Sequence, residues 1–195
     1  MIKSVCVFAS SCDFLEKSYY EDASEMGKLL AQNGFTMVYG GSSLGMMWAC
    51  ASKVKENGGK ILGVMPEKLY NMGVSTDECV ELTVTPCMRT RKAKMDELSD
   101  AVVALAGGFG TLEELSEMIV QKQLGYNNKA IVILNTNGFY DNLLKFFDDI
   151  CVENFAKVNS KGLYYVAQTP KDVIEYLKDY KSEFKALTRE DLYTR

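Results

Sequence analysis

Ala101-Val102-Val103-Ala104-Leu105 runs without a break into Ala106-Gly107-Gly108-Phe109-Gly110-Thr111, and Leu112-Glu113-Glu114-Leu115 then opens a helical pattern. The order is buried strand, glycine turn, helix. Five apolar residues in a row suit a strand covered on both faces, as in a parallel sheet. Glycines let a backbone come close to a ligand, and the free N–H groups of a helix start form an anion site. Thr111 reads as a natural N-cap, and its hydroxyl could instead turn to a phosphate oxygen. The bland alternative is a tight strand-to-helix turn capped by Thr111.

Outward from this stretch the same alternation fills the chain. Residues 2–9, 35–39, 60–65, 101–105 and 130–134 are short apolar runs, mostly rich in Val, Ile and Phe. Between and after them, residues 18–33, 43–57, 86–98, 111–124, 139–155 and 170–180 read as helices. In the first of these, Ala23, Met26, Gly27 and Leu30 fall at i, i+3, i+4 and i+7, and Gly34 follows as a stop. Repeated strand–helix alternation predicts an α/β sheet with right-handed crossovers. With no linker, low-complexity segment or internal repeat, residues 1–195 read as one domain.

In such a sheet the ligand site lies beyond the carboxyl ends of the strands. Four loops come into question: residues 10–13, residues 40–43, the stretch after Met65-Pro66, and residues 107–111. The first loop, Ser10-Ser11-Cys12-Asp13, has no glycine, which disfavours the G-x-G-x-x-G dinucleotide fingerprint. Neither glycine loop carries the lysine of a Walker A motif, which excludes P-loop ATP hydrolysis. Tyr39-Gly40-Gly41-Ser42-Ser43-Leu44-Gly45 repeats the strand–glycine–helix form. Two such loops on one sheet edge favour a phosphate-bearing ligand.

Composition narrows the chemistry further. The 195 residues contain no histidine, which removes Ser-His-Asp and Cys-His nucleophile systems, His-ligated zinc and imidazole bases. A net charge of −4 does not mark a nucleic-acid or anionic-membrane binder. The six cysteines form no C-x-x-C pair and no tight cluster, and three lie inside apolar stretches, so a reducing, cytoplasmic compartment is expected. No stretch approaches the length of a membrane span, and the N-terminal apolar run reads better as a buried strand than as a signal peptide.

Met88-Arg89-Thr90-Arg91-Lys92-Ala93-Lys94-Met95 places four cations in six positions at a helix start, against the helix dipole. One reading is a solvated face with Met88 and Met95 packed inward. An anionic ligand nearby, or a carboxylate partner, accounts for the arrangement better.

Met88-x-x-Arg91-Lys92-x-x-Met95 followed by Gly107-Gly108-x-Gly110-Thr111-x-x-Glu114 resembles the paired signature of the Lonely Guy (LOG) family. The likeness extends to Phe8-Ala9-Ser10-Ser11, Val38-Tyr39-Gly40-Gly41 and Asn137-Gly138-Phe139-Tyr140-Asp141-x-Leu143-Leu144, and so over nearly the full chain. Either motif alone is weak; the two together are specific. Departures fall at Ala9, Ser42, Arg89, Ala106 and Val120-Gln121, and residues 67–85 are hard to match. They concern the base side of a nucleotide more than the reacting positions. The base is therefore left open: an isopentenyl-adenine nucleotide, AMP or another purine monophosphate.

The resemblance implies a Rossmann-like, doubly wound parallel sheet with helices on both faces. It implies a cytokinin riboside 5′-monophosphate phosphoribohydrolase, which cleaves the bond between base and ribose 5-phosphate. Positive charge grows on the sugar as that bond breaks, and Glu114 is expected to stabilise it and orient the attacking water. Its place in the first turn of a helix should help keep it ionised. Arg91 is expected to hydrogen-bond the substrate or help the departing base, since guanidinium stays protonated. Met88, Lys92, Gly107, Gly108, Gly110 and Thr111 complete the expected substrate site, with Lys92 serving the nucleotide's charge or pairing with a carboxylate. No metal or organic cofactor is required, and the partner expected is a second copy of the chain. Two other classes remain, a nucleotide or cofactor carrier without turnover and an oligomeric scaffold. A pyridoxal-phosphate decarboxylase lacks a marked Schiff-base lysine and a histidine to stack on the ring.

Overall fold

Strands that are apolar at every position must be covered twice, and seven parallel strands between two helical layers meet that demand. The computed structural model describes residues 1–79, 81–156 and 158–182. The elements run β1 (Ser4–Phe8), α1 (Lys17–Gln32), β2 (Thr36–Tyr39), α2 (Gly45–Glu56), β3 (Ile61–Pro66), α3 (Glu67–Tyr70), β4 (Glu81–Thr85), α4 (Met88–Glu97) and β5 (Ala101–Ala104). They continue with α5 (Phe109–Gln123), β6 (Ala130–Leu134), α6 (Asp141–Val152), β7 (Tyr165–Ala167) and α7 (Pro170–Asp179). Every pairing in the sheet is parallel, in the order β4-β3-β2-β1-β5-β6-β7. The chain works outward from β1 to β4, then crosses to β5 and works outward again. The switch point therefore lies between β1 and β5.

Successive strand residues point to opposite faces. Val5 and Val7 join Ala23, Met26 and Leu30 of α1, Cys50 and Val54 of α2, and Val173 and Leu177 of α7. Cys6 and Phe8 join Met95 of α4, Leu115 and Met118 of α5, and Leu143, Leu144 and Phe147 of α6. The sheet is thus doubly wound, with helices on both faces as expected. Among the described residues no helix is long and apolar enough to cross a membrane. Residues 183–195 of the expected single domain lie outside the described residues.

Three local readings change. β4 and β7 were not legible as strands. Thr111 is not a cap: α5 begins at Phe109 behind Gly108, whose extended backbone (φ −87°, ψ −156°) is the cap, so Thr111 is its third residue. Gly107 and Gly108 alone complete the turn, and the chain is helical three residues earlier than a threonine cap suggested. Met95 is buried in the core, but Met88, the first residue of α4, stays half exposed rather than packing inward with it.

Candidate active site

The carboxyl ends of β1 and β5 lie side by side, and the loop from β5 runs into a helix start with open backbone donors. The first intrahelical bond of α5 is donated by the Leu112 amide to the Gly108 carbonyl (3.0 Å). The amides of Phe109, Gly110 and Thr111 precede it and have no partner within the helix. Gly107 is required for space, because a Cβ there would meet the Thr111 side chain, which is itself buried. A Cβ on Gly108 or Gly110 would project into open space, so these two glycines leave the helix start accessible. Phe109, between them, is 93% exposed.

Arg91 and Glu114 meet beneath this loop. The Arg91 Nη1 donates to Glu114 Oε1 at 2.8 Å, and its Nε donates to the Val64 carbonyl of β3 at 3.1 Å. Both residues are only 7% exposed. Gly40 at the end of β2 makes room for the guanidinium, which a Cβ there would strike. Among the described residues only Oε1 of Glu114 is engaged, leaving Oε2 without a hydrogen bond.

Glu114 is the sixth residue of α5 and so belongs to the second turn, not the first. The helix dipole is therefore not what governs its charge. Burial pushes its carboxyl above the ordinary glutamate value, and Arg91 pulls it part of the way back. Being three residues after Thr111, it shares that residue's face of the helix. An anion at the helix start and a reacting group beside Glu114 would thus lie on one line.

Two further cations of α4, Lys92 and Lys94, find carboxylates. Lys92, expected to serve the nucleotide's charge or to pair with a carboxylate, is ion-paired with Glu113 and Glu117 of α5. Lys94 pairs with Glu97 at 2.9 Å. Arg89 and Met88 are exposed at the start of α4. The cationic run opposing the helix dipole is accounted for mainly by α5, whose three glutamates take Arg91 and Lys92.

The second glycine loop does not repeat the first. The Ser43 amide donates to the Val74 carbonyl (3.0 Å), Leu44 to the Ser42 hydroxyl (3.2 Å) and Gly45 to Asp13 Oδ1 (2.8 Å). Thr76 donates back to the Gly41 carbonyl at 3.2 Å. Residues 74–76 thus lie across the loop, and the amides of Ser43, Leu44 and Gly45 are spent within the protein. Gly45, at φ +60°, is pressed against the Ser11 backbone. The start of α2 is thus a junction within the protein, unlike the open start of α5. Sequence reasoning missed the hold of Val64 on Arg91 and the room that Gly40 provides. Nothing in residue spacing signals either, since both depend on the β2–β3 edge.

An open helix start with a buried carboxylate–guanidinium pair one turn behind it suits chemistry on a phosphorylated sugar. The model of a family described as "Possible lysine decarboxylase" matches residues 47–177. The chain is 38% identical over 181 residues to the probable cytokinin riboside 5′-monophosphate phosphoribohydrolase LOGL2 of Oryza sativa subsp. japonica, covering 93% of this chain and 74% of that protein. It is 36% identical over 186 residues to the cytokinin riboside 5′-monophosphate phosphoribohydrolase LOG7 of Arabidopsis thaliana, covering 95% and 86%. Among solved structures it is similar to the molybdenum cofactor carrier protein of Chlamydomonas reinhardtii, with a TM-score of 0.70, 26% identity and coverage of 91% and 96%.

Proposed function

The chain belongs to the Lonely Guy family of cytokinin riboside 5′-monophosphate phosphoribohydrolases, and from that we propose that it hydrolyses an adenine nucleoside 5′-monophosphate, plain or N6-substituted, to free base and ribose 5-phosphate. The observation that carries this reading is the buried Arg91–Glu114 pair one turn behind an open helix start. The amides of Phe109, Gly110 and Thr111 hold the 5′-phosphate with the help of the helix dipole. Glu114, through Oε2, faces the sugar carbon, where its charge stabilises the developing cation and its oxygen orients water. Water's oxygen bonds that carbon as the C–N bond breaks, and the electron pair leaves with the base. The proton that water loses balances the one the base gains. Arg91 holds Glu114 in place and supplies a hydrogen-bond donor to the substrate. Met88 and Lys92 flank the site, Lys92 by fixing Glu113 and Glu117. The reaction asks for no metal or organic cofactor.

A lysine decarboxylase would need an amine that readily loses its proton. Burial lowers the Lys92 pKa, but Glu113 and Glu117 outweigh it and the net shift is upward. Lys92 is therefore poorly suited to forming an imine. The likeness to a molybdenum cofactor carrier supports a second reading, binding without turnover. Chromatography of free base against a panel of nucleoside monophosphates separates the two. We expect release from an adenine monophosphate, and none from any monophosphate would sink the enzyme. The acid limb of kcat/KM should lie above the ordinary glutamate range near ~4.3, because burial raises Glu114 and only its ionised form acts.

We place the protein in the cytoplasm, where six cysteines without a disulfide are at home. We also propose a homodimer. Val120 of α5 and Phe146 of α6 are both about half exposed on an apolar cavity of about 320 Å³ that Ile119, Phe147 and Leu163 also line. Leu124 and Tyr126 extend the exposed apolar surface just beyond α5. Light scattering at micromolar concentration should give twice the chain mass, and a monomer would count against it.

A further inference from the structure

We propose that Tyr140 is a positioning residue for the phosphate loop, holding it from beneath through a phenol that never meets the substrate. The proposal rests on the reading of residues 107–111 as the phosphate site. β5 ends at Ala104, so the Leu105 carbonyl is the first to leave the strand. The Tyr140 hydroxyl donates to it at 2.7 Å. The Gly107 amide, two residues further along, faces the same phenol oxygen and favours its ionised form. One side chain thus holds the start of the Leu105-Ala106-Gly107 bend and faces its end, immediately before the three open amides. Tyr140 is buried, and burial pushes its phenol well above the ordinary tyrosine value, the nearby Gly107 amide opposing this only in part. It remains a proton donor at any working pH.

The phenol is itself held firmly. The Tyr140 amide donates to Asn135 Oδ1 at 2.8 Å, and Asn135 Nδ2 donates to Asp141 Oδ1 at 2.7 Å. The Asn135 amide in turn donates to the Ala167 carbonyl of β7 at 2.9 Å. The ring of Tyr140 packs edge-on against Phe139, with centroids 4.9 Å apart. β6 and β7 therefore fix the height of a loop that belongs to β5. Without the hydroxyl, Gly107 and Leu105 keep their positions only by finding water, and the amides at 109–111 lose their common aim. A ligand that uses those amides suffers, and one that does not use them is indifferent.

The test is Tyr140→Phe, assayed with AMP and with adenosine. KM for AMP is expected to rise roughly tenfold, the scale of one lost buried hydrogen bond. The value of kcat should stay within about threefold, because Glu114 and Arg91 are untouched, and kcat/KM for adenosine should not change. An equal loss on both substrates, or no loss on either, would overturn the proposal. If the variant does not fold, amide exchange in the wild-type protein decides. Protection of the Gly107 amide without ligand is expected, and exchange at the rate of an open chain would defeat the idea. A wild-type protein that treats AMP and adenosine alike would overturn the phosphate loop, and this role with it. A discriminating wild type beside an unaltered variant overturns the role of Tyr140 alone.

Discussion

Glu114→Gln is expected to lower kcat by roughly 100- to 1000-fold, the ~2.7–4 kcal/mol that one well-placed electrostatic group contributes to a transition state. The amide keeps an oxygen for Arg91 Nη1 and nearly the same shape, so the pair's geometry is retained. What disappears is the negative charge that the sugar cation needs. The loss therefore falls on kcat, while nucleotide binding at the helix start survives. Glu113→Gln is the control. Its side chain is half exposed and pairs with Lys92, which also has Glu117, so turnover should hardly change. Arg91→Ala is a poorer probe, because removing one partner of a buried ion pair costs on the order of 3–5 kcal/mol of stability. Wild-type release by Glu114→Gln with none from Glu113→Gln would show the catalytic glutamate to be one residue away. Tight binding of a monophosphate without release by any form, wild type included, would establish the carrier.

Removing the 5′-phosphate from the substrate should be nearly as damaging. A charge-assisted hydrogen bond contributes roughly 1.5–3 kcal/mol, and three amides stand open at residues 109–111. Even with half of this offset by desolvation, adenosine should react at least ~100-fold worse than AMP in kcat/KM. Gly110→Ala offers a local check. Its Cβ would enter open space, so the protein should fold normally while phosphate loses room. Equal rates for adenosine and AMP would refute the assignment of Gly107 to Thr111 as the phosphate cradle.

Strands covered on both faces announce themselves, and β1, β2, β3, β5 and β6 were legible for that reason. β4 was not, because Glu81-Leu82-Thr83-Val84-Thr85 is an edge strand whose side chains are mostly half exposed or exposed. β7, at three residues on the opposite edge, is too short to carry a pattern. At the site, the glycine turn before α5 could be read directly, since its chemistry is local. Its cap could not: Thr111 has the right side chain, but Gly108 already turns the chain. The two glycine loops look alike in sequence. They differ because Val74 and Asp13 accept from the Ser43 and Gly45 amides of one, and no local pattern foretells that. The resemblance pointed to both Arg91 and Glu114. Their contact, 23 residues apart, depends on how α4 and α5 lie on one face of the sheet.

The central place of β1 also bears on how the protein comes into being. Its first strand must wait for its fifth, since Val5 pairs with Ala101, and Asp100 ties down the amides of Lys3 and Ser4, 97 and 96 positions away. At ~5–20 residues per second of synthesis, the side of β1 that will receive β5 stays unpaired for roughly 5–20 s on the ribosome. During that interval a strand buried at four of its five positions in the finished protein is an open edge, the kind that recruits other chains. The phosphate loop follows directly on β5, so the nascent chain closes this edge and assembles its anion site in the same event.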